Sequence, residues 1–295
     1  MAVAGAFVFA AQMINFAVPG TGSSGHLGGG VLLAALLGPY AGFLSMTCIL
    51  AVQALFFADG GLLAFGCNLF NLGFLSCFVA YPLVFRPIAR RSRGAGRVAF
   101  ASGAASVVAL QLGALGVVFQ TLLSGRTGLD ARTFVLLMQP IHLAIGVVEG
   151  LVTAAILATV HRARPELVAS TLDAKPYRGE SLRGMLVAGI LLAVVTGAVV
   201  AWFASALPDG LVWSLARAAR GEAPAQGGTY GPAILPDYGY RGADAAGAGQ
   251  AAWPAISAGT SVSGVVGALL VLALAALAGG AALLLGRARK RRGRA

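Results

Sequence analysis

The chain has 295 residues, of which 58% are hydrophobic and only 11% charged, with a formal net charge of +11 and a mean hydropathy of +0.84. So few polar groups cannot cover a soluble fold of this size, and long apolar runs in such a chain mean a polytopic membrane protein. The basic excess sits in the connections between apolar runs, where it sets topology and meets anionic lipid, so nucleic acid is excluded as its partner.

Apolar segments run over about 3–18, 27–37, 41–57, 62–85, 98–123, 133–160, 184–205 and 263–286. The fold class is an all-α polytopic transmembrane helix bundle of about eight segments. The second segment is too short to cross a hydrocarbon core of about 30 Å and belongs inside the bundle, where neighbouring protein satisfies its backbone. Of 21 Lys and Arg residues, 16 lie in 86–97, 161–183 and the tail after 286. The positive-inside bias puts those stretches in the cytoplasm and the breaks at 19–26 and 206–262 outside, leaving the amino terminus inside. The predicted organisation is a membrane substrate-binding bundle over 1–165, a cytoplasmic linker over 166–183, and a two-helix unit over 184–295. The outer loop of that unit, 206–262, is rich in Gly, Ala and Pro and predicts little regular structure. The location is the cell membrane, multi-pass.

The stretch Asn15-Phe-Ala-Val-Pro-Gly-Thr-Gly-Ser-Ser-Gly-His26 is a polar, glycine-rich break ending in one of only three histidines. Glycines let a backbone approach a ligand closely, and an imidazole in such a loop suits Ni(II), Co(II) or Zn(II). A loop-packing histidine is the other role open to His26. Amides at Gln12, Asn15, Gln53, Asn68 and Asn71 lie in or near apolar runs. Buried amides need hydrogen bonds, so these residues either tie helices together or orient a ligand. Asp59 with Gly60 and Gly61 reads as an outside turn. His142 and Glu149 lie two turns apart on one helix face. An ionisable residue inside a membrane span points to function, and His142 is the expected partner of Glu149 through a bridging group. Cys48, Cys67 and Cys77 show no metal-ligand spacing and read as small hydrophobes.

A second chemistry is open. Gly22-Ser23-Ser24-Gly25 matches the GxSG of rhomboid-type intramembrane serine proteases, with Ser24 as nucleophile and His142 as the base such a nucleophile needs.

Several separate motifs, in order, carry a family resemblance. They are Ala6-Phe-Val-Phe-Ala-Ala-Gln-Met-Ile-Asn-Phe16, Ser24-Gly-His-Leu27, Gln53-Ala-Leu-Phe-Phe-Ala-Asp-Gly-Gly61, Asn68-Leu-Phe-Asn-Leu-Gly73 and His142-Leu-Ala-Ile-Gly-Val-Val-Glu-Gly150. Over about 1–160 the chain resembles the CbiM/NikM family, the substrate-capture components of energy-coupling-factor importers for cobalt and nickel. Leu207-Pro-Asp-Gly-Leu-Val-Trp213 and Leu235-Pro-Asp-Tyr238, with the final apolar helix, resemble the small CbiN/NikN component of PDGLE type.

The resemblance implies Co(II) or Ni(II) as transported substrate, no enzymatic activity in this chain, and partners in a transmembrane coupling subunit and cytoplasmic ATPase subunits. No GxxxxGK[ST] phosphate loop occurs in the sequence. In the family the metal is held by an amino-terminal Met-His pair and the histidine of the SGH motif, which corresponds to His26. Asn15, Ser24, Asn68, Asn71, His142 and Glu149 become candidates for orienting the ligand or gating access. Residue 2 is Ala and the family's first helix has no counterpart. The resemblance therefore predicts a native start about 40 residues upstream, one span plus its flanks, or else a truncated homologue that binds no metal.

Overall fold

The computed structural model describes residues 1–92, 94–125, 128–177, 179–219, 232–240 and 253–292. Two stretches of the expected outer loop, 220–231 and 241–252, lie outside the described residues, as do three of the topology-setting arginines, Arg93, Arg178 and Arg294.

Helices dominate. In chain order they are α1 (Ala2–Gln12), α2 (Gly30–Leu37), α3 (Pro39–Phe56), α4 (Phe65–Asn68), α5 (Arg86–Arg91), α6 (Ala95–Leu123), α7 (Ala131–Ala163), α8 (Pro165–Leu172), α9 (Arg183–Ala198), α10 (Gly210–Ala218) and α11 (Ala258–Arg292). Between α4 and α5 the chain stays helical but widens to π geometry over Leu69–Phe85, with Pro82 inside. Among the described residues, five helical stretches are long and apolar enough to cross a membrane: 39–56, 65–91, 95–123, 131–163 and 258–288. At 1.5 Å per residue α6 is about 44 Å long, whereas α1 and α2 reach only about 16 and 12 Å.

Local chemistry sets the ends. Gly38, at φ 82°, and Pro39 turn α2 into α3, because proline suits the first helical turn. Asp130 caps α7 by accepting the Thr133 N–H at 2.7 Å. Asp209 caps α10 by accepting the Val212 N–H at 2.8 Å. Small residues let helices touch. Gly150 of α7 meets the Gly103 backbone of α6, and Gly197 of α9 meets Gly264 of α11. Such contacts replace the hydrophobic driving force that lipid cannot supply. The core runs through Phe9, Leu33, Ile49, Phe57, Tyr81 and Phe85, all buried, and α1 packs between α9 and α11.

Two expectations need correction. The apolar run 3–18 is not one helix. It stops at Gln12, and Phe16–Val18 is a strand, β1, paired antiparallel with β2 (Ser23–Gly25). Pro19 and the turn glycines behind it favour a hairpin over further helix. The loop 206–262 also holds more regular structure than the little expected of it. It contains α10, a 3-10 turn at Pro236–Tyr238, and the first turn of α11.

The molecule has two chemically distinct ends. At one end Arg86 and Arg90 of α5 both donate to the Leu172 carbonyl at the end of α8, at 2.9 and 2.6 Å. The hairpin, the turn after α3 and the start of α10 gather at the other.

Candidate metal-capture site

The two glycine-rich breaks meet. In the hairpin Phe16 pairs with Gly25, Ala17 with Ser24 and Val18 with Ser23. Its turn holds Gly20 and Gly22 at φ 75° and 76°, values glycine adopts without steric cost. The segment 207–209 then joins β2. Ser24 donates its N–H to the Pro208 carbonyl and its hydroxyl to the Leu207 carbonyl, each at 2.7 Å, and pairs in parallel with Asp209. The Trp213 indole N–H reaches the Thr21 carbonyl at 2.9 Å, and the Arg217 guanidinium lies 4.2 Å from the centre of its ring. A Cβ at Gly210 would sit 2.9 Å from Ile141 and 3.0 Å from His142. Glycine is what lets this turn press onto α7.

Below this junction is a cavity of about 300 Å³, lined among others by His26, Asn68, Asn71, His142 and Glu149, with Asp59 and Asp209 at its walls. Nδ1 of His26 lies 3.1 Å from the Leu27 carbonyl, and Nδ1 of His142 lies 2.8 Å from the Met138 carbonyl. A carbonyl only accepts, so each Nδ1 carries the proton and each Nε2 keeps the lone pair a metal needs. Among the described residues no three His, Cys, Asp or Glu side chains form a ready-made metal cage. The nitrogen donors present suit Co(II) or Ni(II) better than an oxygen-seeking ion.

Glu149 is 2% exposed and its partner is not His142. Its two oxygens accept the Gly28 and Gly29 N–H groups at 3.0 Å each. The expected His142 bridge is corrected because the loop after His26 supplies backbone donors directly, at the start of α2 where helical N–H groups have no partner within the helix. Gln12 donates to the Gly28 carbonyl at 2.8 Å and accepts from Gln53 at 3.0 Å. The chain on the carboxyl side of His26 is thus held from α7 and α1 together.

The other candidates separate. Asn71 exchanges two amide hydrogen bonds with Gln120 of α6, at 2.8 and 3.3 Å, and Asn68 donates to the Gly60 carbonyl at 2.7 Å. Asn15 does not line the cavity; its carbonyl accepts the Ser205 N–H at 2.7 Å. Ser24 is fully buried and its hydroxyl is committed to Leu207. Among the described residues no hydrogen bond joins it to His142, so it is built as a tie between the two units rather than as an activated nucleophile. Sequence reasoning missed Gln120. The signal was there, an amide near the end of an apolar run, as at Gln12.

Comparison with known proteins gives a consistent picture. The CbiM family, described as cobalt uptake substrate-specific transmembrane region, matches residues 1–167. The PDGLE domain matches residues 183–285. A protein of Archaeoglobus fulgidus named as a fused nickel transport protein, NikMN, is 33% identical over 275 residues, 92% of this chain and 82% of that one. The fused nickel transport protein NikMN of Rhodobacter capsulatus is 34% identical over 181 residues, 57% of this chain and 52% of its own. The cobalt transport protein CbiM of Geobacter sulfurreducens is 32% identical over 169 residues, 56% and 47% of the two chains.

Proposed function

The chain belongs to the CbiM family of cobalt-uptake transmembrane regions and carries a PDGLE domain, and on that basis we propose that it is the substrate-binding membrane component of a cobalt or nickel importer. The observation that carries this reading is the placement of His26. Its imidazole lines a cavity at the end of the bundle away from the basic residues of α5, in a loop held by the Glu149 carboxylate. By the positive-inside bias that end faces outward, so metal arrives from the extracytoplasmic side.

His26 supplies a nitrogen donor, and His142 lines the same cavity within reach of an incoming ion. Glu149 acts through Gly28 and Gly29, fixing the direction of the backbone that presents the imidazole; orientation of this kind tunes a metal ligand. The Leu207–Trp213 segment roofs the hairpin, which accounts for fusion of the PDGLE unit to the capture unit. Asn68 and Asn71 set the far wall, and Ser24 holds the roof. Energy for transport comes from partners of the energy-coupling-factor type, a transmembrane coupling subunit and cytoplasmic ATPases.

The test is accumulation of radiolabelled cobalt and nickel in cells producing the chain with its partner subunits. His26→Ala is expected to reduce accumulation to background while membrane levels of the protein hold. Unchanged accumulation removes His26 from the site.

A further inference from the structure

The segment Leu235–Tyr238 of the PDGLE unit lies against the turn that follows α3. Leu235 and Asp237 donate their N–H groups to the Phe56 and Phe57 carbonyls at 3.0 and 2.9 Å. The Tyr238 ring stacks on Phe57 with centroids 4.7 Å apart, and its hydroxyl donates to Asp59 at 2.5 Å. The turn is unusual in backbone. Ala58, Gly60 and Gly61 all have positive φ, at 57°, 74° and 72°. A non-glycine residue there is strained and persists only where its surroundings hold it.

The same turn is bonded inward. Phe57 and Asp59 both donate N–H groups to the Gln53 carbonyl at 3.1 Å. The Gln53 side chain donates to Gln12, and Gln12 to the Gly28 carbonyl, two residues past His26. Gln12 and Gln53 are 6% and 7% exposed, so neither amide has water to fall back on if a partner moves. Burial and the Asp59 carboxylate hold the Tyr238 phenol well above its ordinary range, which keeps it a donor.

We propose that Tyr238 is a positioning residue for the metal site, which it reaches through Asp59, Gln53 and Gln12 to the backbone that presents His26. The PDGLE unit then shapes the site by two routes: directly through Leu207 and Pro208 on the hairpin, and through this strap by way of the turn after α3. Loosening the strap frees the turn, lets the Gln53 carbonyl shift, and slackens the Gln12 bond to Gly28. The inference rests on the reading of His26 as a ligand, but its structural half does not.

The test uses the full chain in detergent, with Tyr238→Phe, which keeps the ring stack and deletes the hydroxyl. Amide hydrogen exchange is followed over 24–30 without metal, and Ni(II) and Co(II) affinity is measured by titration. Exchange over 24–30 is expected to quicken about two- to tenfold, and metal affinity to fall by a similar factor, the range for loss of one hydrogen bond. Asp59→Asn, which keeps an acceptor for the phenol, is expected to retain most of the protection. Gln12→Met is expected to reproduce the loss, and the double variant with Tyr238→Phe to lose no more than the larger single, as two links of one chain must. Faster exchange confined to 232–240, or affinity losses that multiply in the double variant, overturns the proposal. If the unmodified chain binds neither ion, the metal reading fails, and exchange over 24–30 alone decides the strap.

Discussion

Glu149 accepts the backbone N–H of Gly28 at 3.0 Å, across 121 residues of sequence. With the matching bond from Gly29, this fixes a carboxylate that sits in an apolar helix with no Lys or Arg bonded to it among the described residues. The donors immediately precede α2, Gly29 being its N-cap, so the carboxylate sits beside the partial positive charge of a helix start. Glu149→Leu strands both donors and is expected to destabilise the chain by at least about 2 kcal/mol. Glu149→Gln keeps one acceptor and should cost roughly half as much. Thermal unfolding in detergent reads the difference; equal stability of all three forms would show that the loop is held some other way.

Gly29 makes a second prediction about the same loop. Its φ is 74°, and a Cβ there would stand 2.4 Å from Val8 Cγ1. Gly29→Ala combines left-handed strain with overpacking and is expected to cost about 2–5 kcal/mol. Gly20 has a nearly identical φ of 75° and nothing within 4 Å of an added Cβ. Gly20→Ala should cost only about 1–2 kcal/mol, the strain alone. Similar unfolding midpoints for the two variants would contradict the packing of α1 on this turn.

The apolar runs and their order were legible because charge is scarce enough that every span stands out, and each of the eight runs has a helix in it. The hairpin was not. Phe16, Ala17 and Val18 continue the hydrophobicity of α1 without a break, and only Pro19 and the glycines behind it marked the change. His26, Asn68, Asn71, His142 and Glu149 were each visible as polar groups in apolar company, and they line one cavity. What joined them was hidden. Glu149 is bonded to backbone, which leaves no side-chain signature, so His142 looked like its partner. Ser24 resembled a nucleophile because a Gly-Ser-Ser-Gly string does not record that its hydroxyl points to a carbonyl 183 residues away. Tyr238 stands out in the sequence only as part of the Leu235-Pro-Asp-Tyr238 motif; its stacking on Phe57 is a long-range contact no local pattern encodes.

Ser24 and Trp213 hold the PDGLE unit to the hairpin, and both bonds can be cut conservatively. Ser24→Ala and Trp213→Phe are each expected to weaken that contact by about 1 kcal/mol and to quicken proteolysis within 206–219. A serine-reactive phosphonate probe should leave the unmodified chain unlabelled. Labelling lost on Ser24→Ala would instead revive a protease.

The reciprocal amide pair of Asn71 and Gln120 predicts that the double variant loses less than the two singles together. Asn71→Leu leaves Gln120 half-satisfied near the cavity, and Gln120→Leu does the converse to Asn71. Each single is expected to cost about 1–3 kcal/mol, whereas the double variant, with no orphaned amide, should recover part of that loss. Strictly additive losses in unfolding experiments would mean the two amides act independently.

The most direct measurement is equilibrium titration of the purified full chain with Co(II) and Ni(II), beside His26→Ala. Saturable binding by the unmodified chain that His26→Ala weakens at least about tenfold, the loss of roughly 1.4 kcal/mol, is the expected result. Equal affinity in the two forms would contradict the assignment of His26 as the residue that captures the metal.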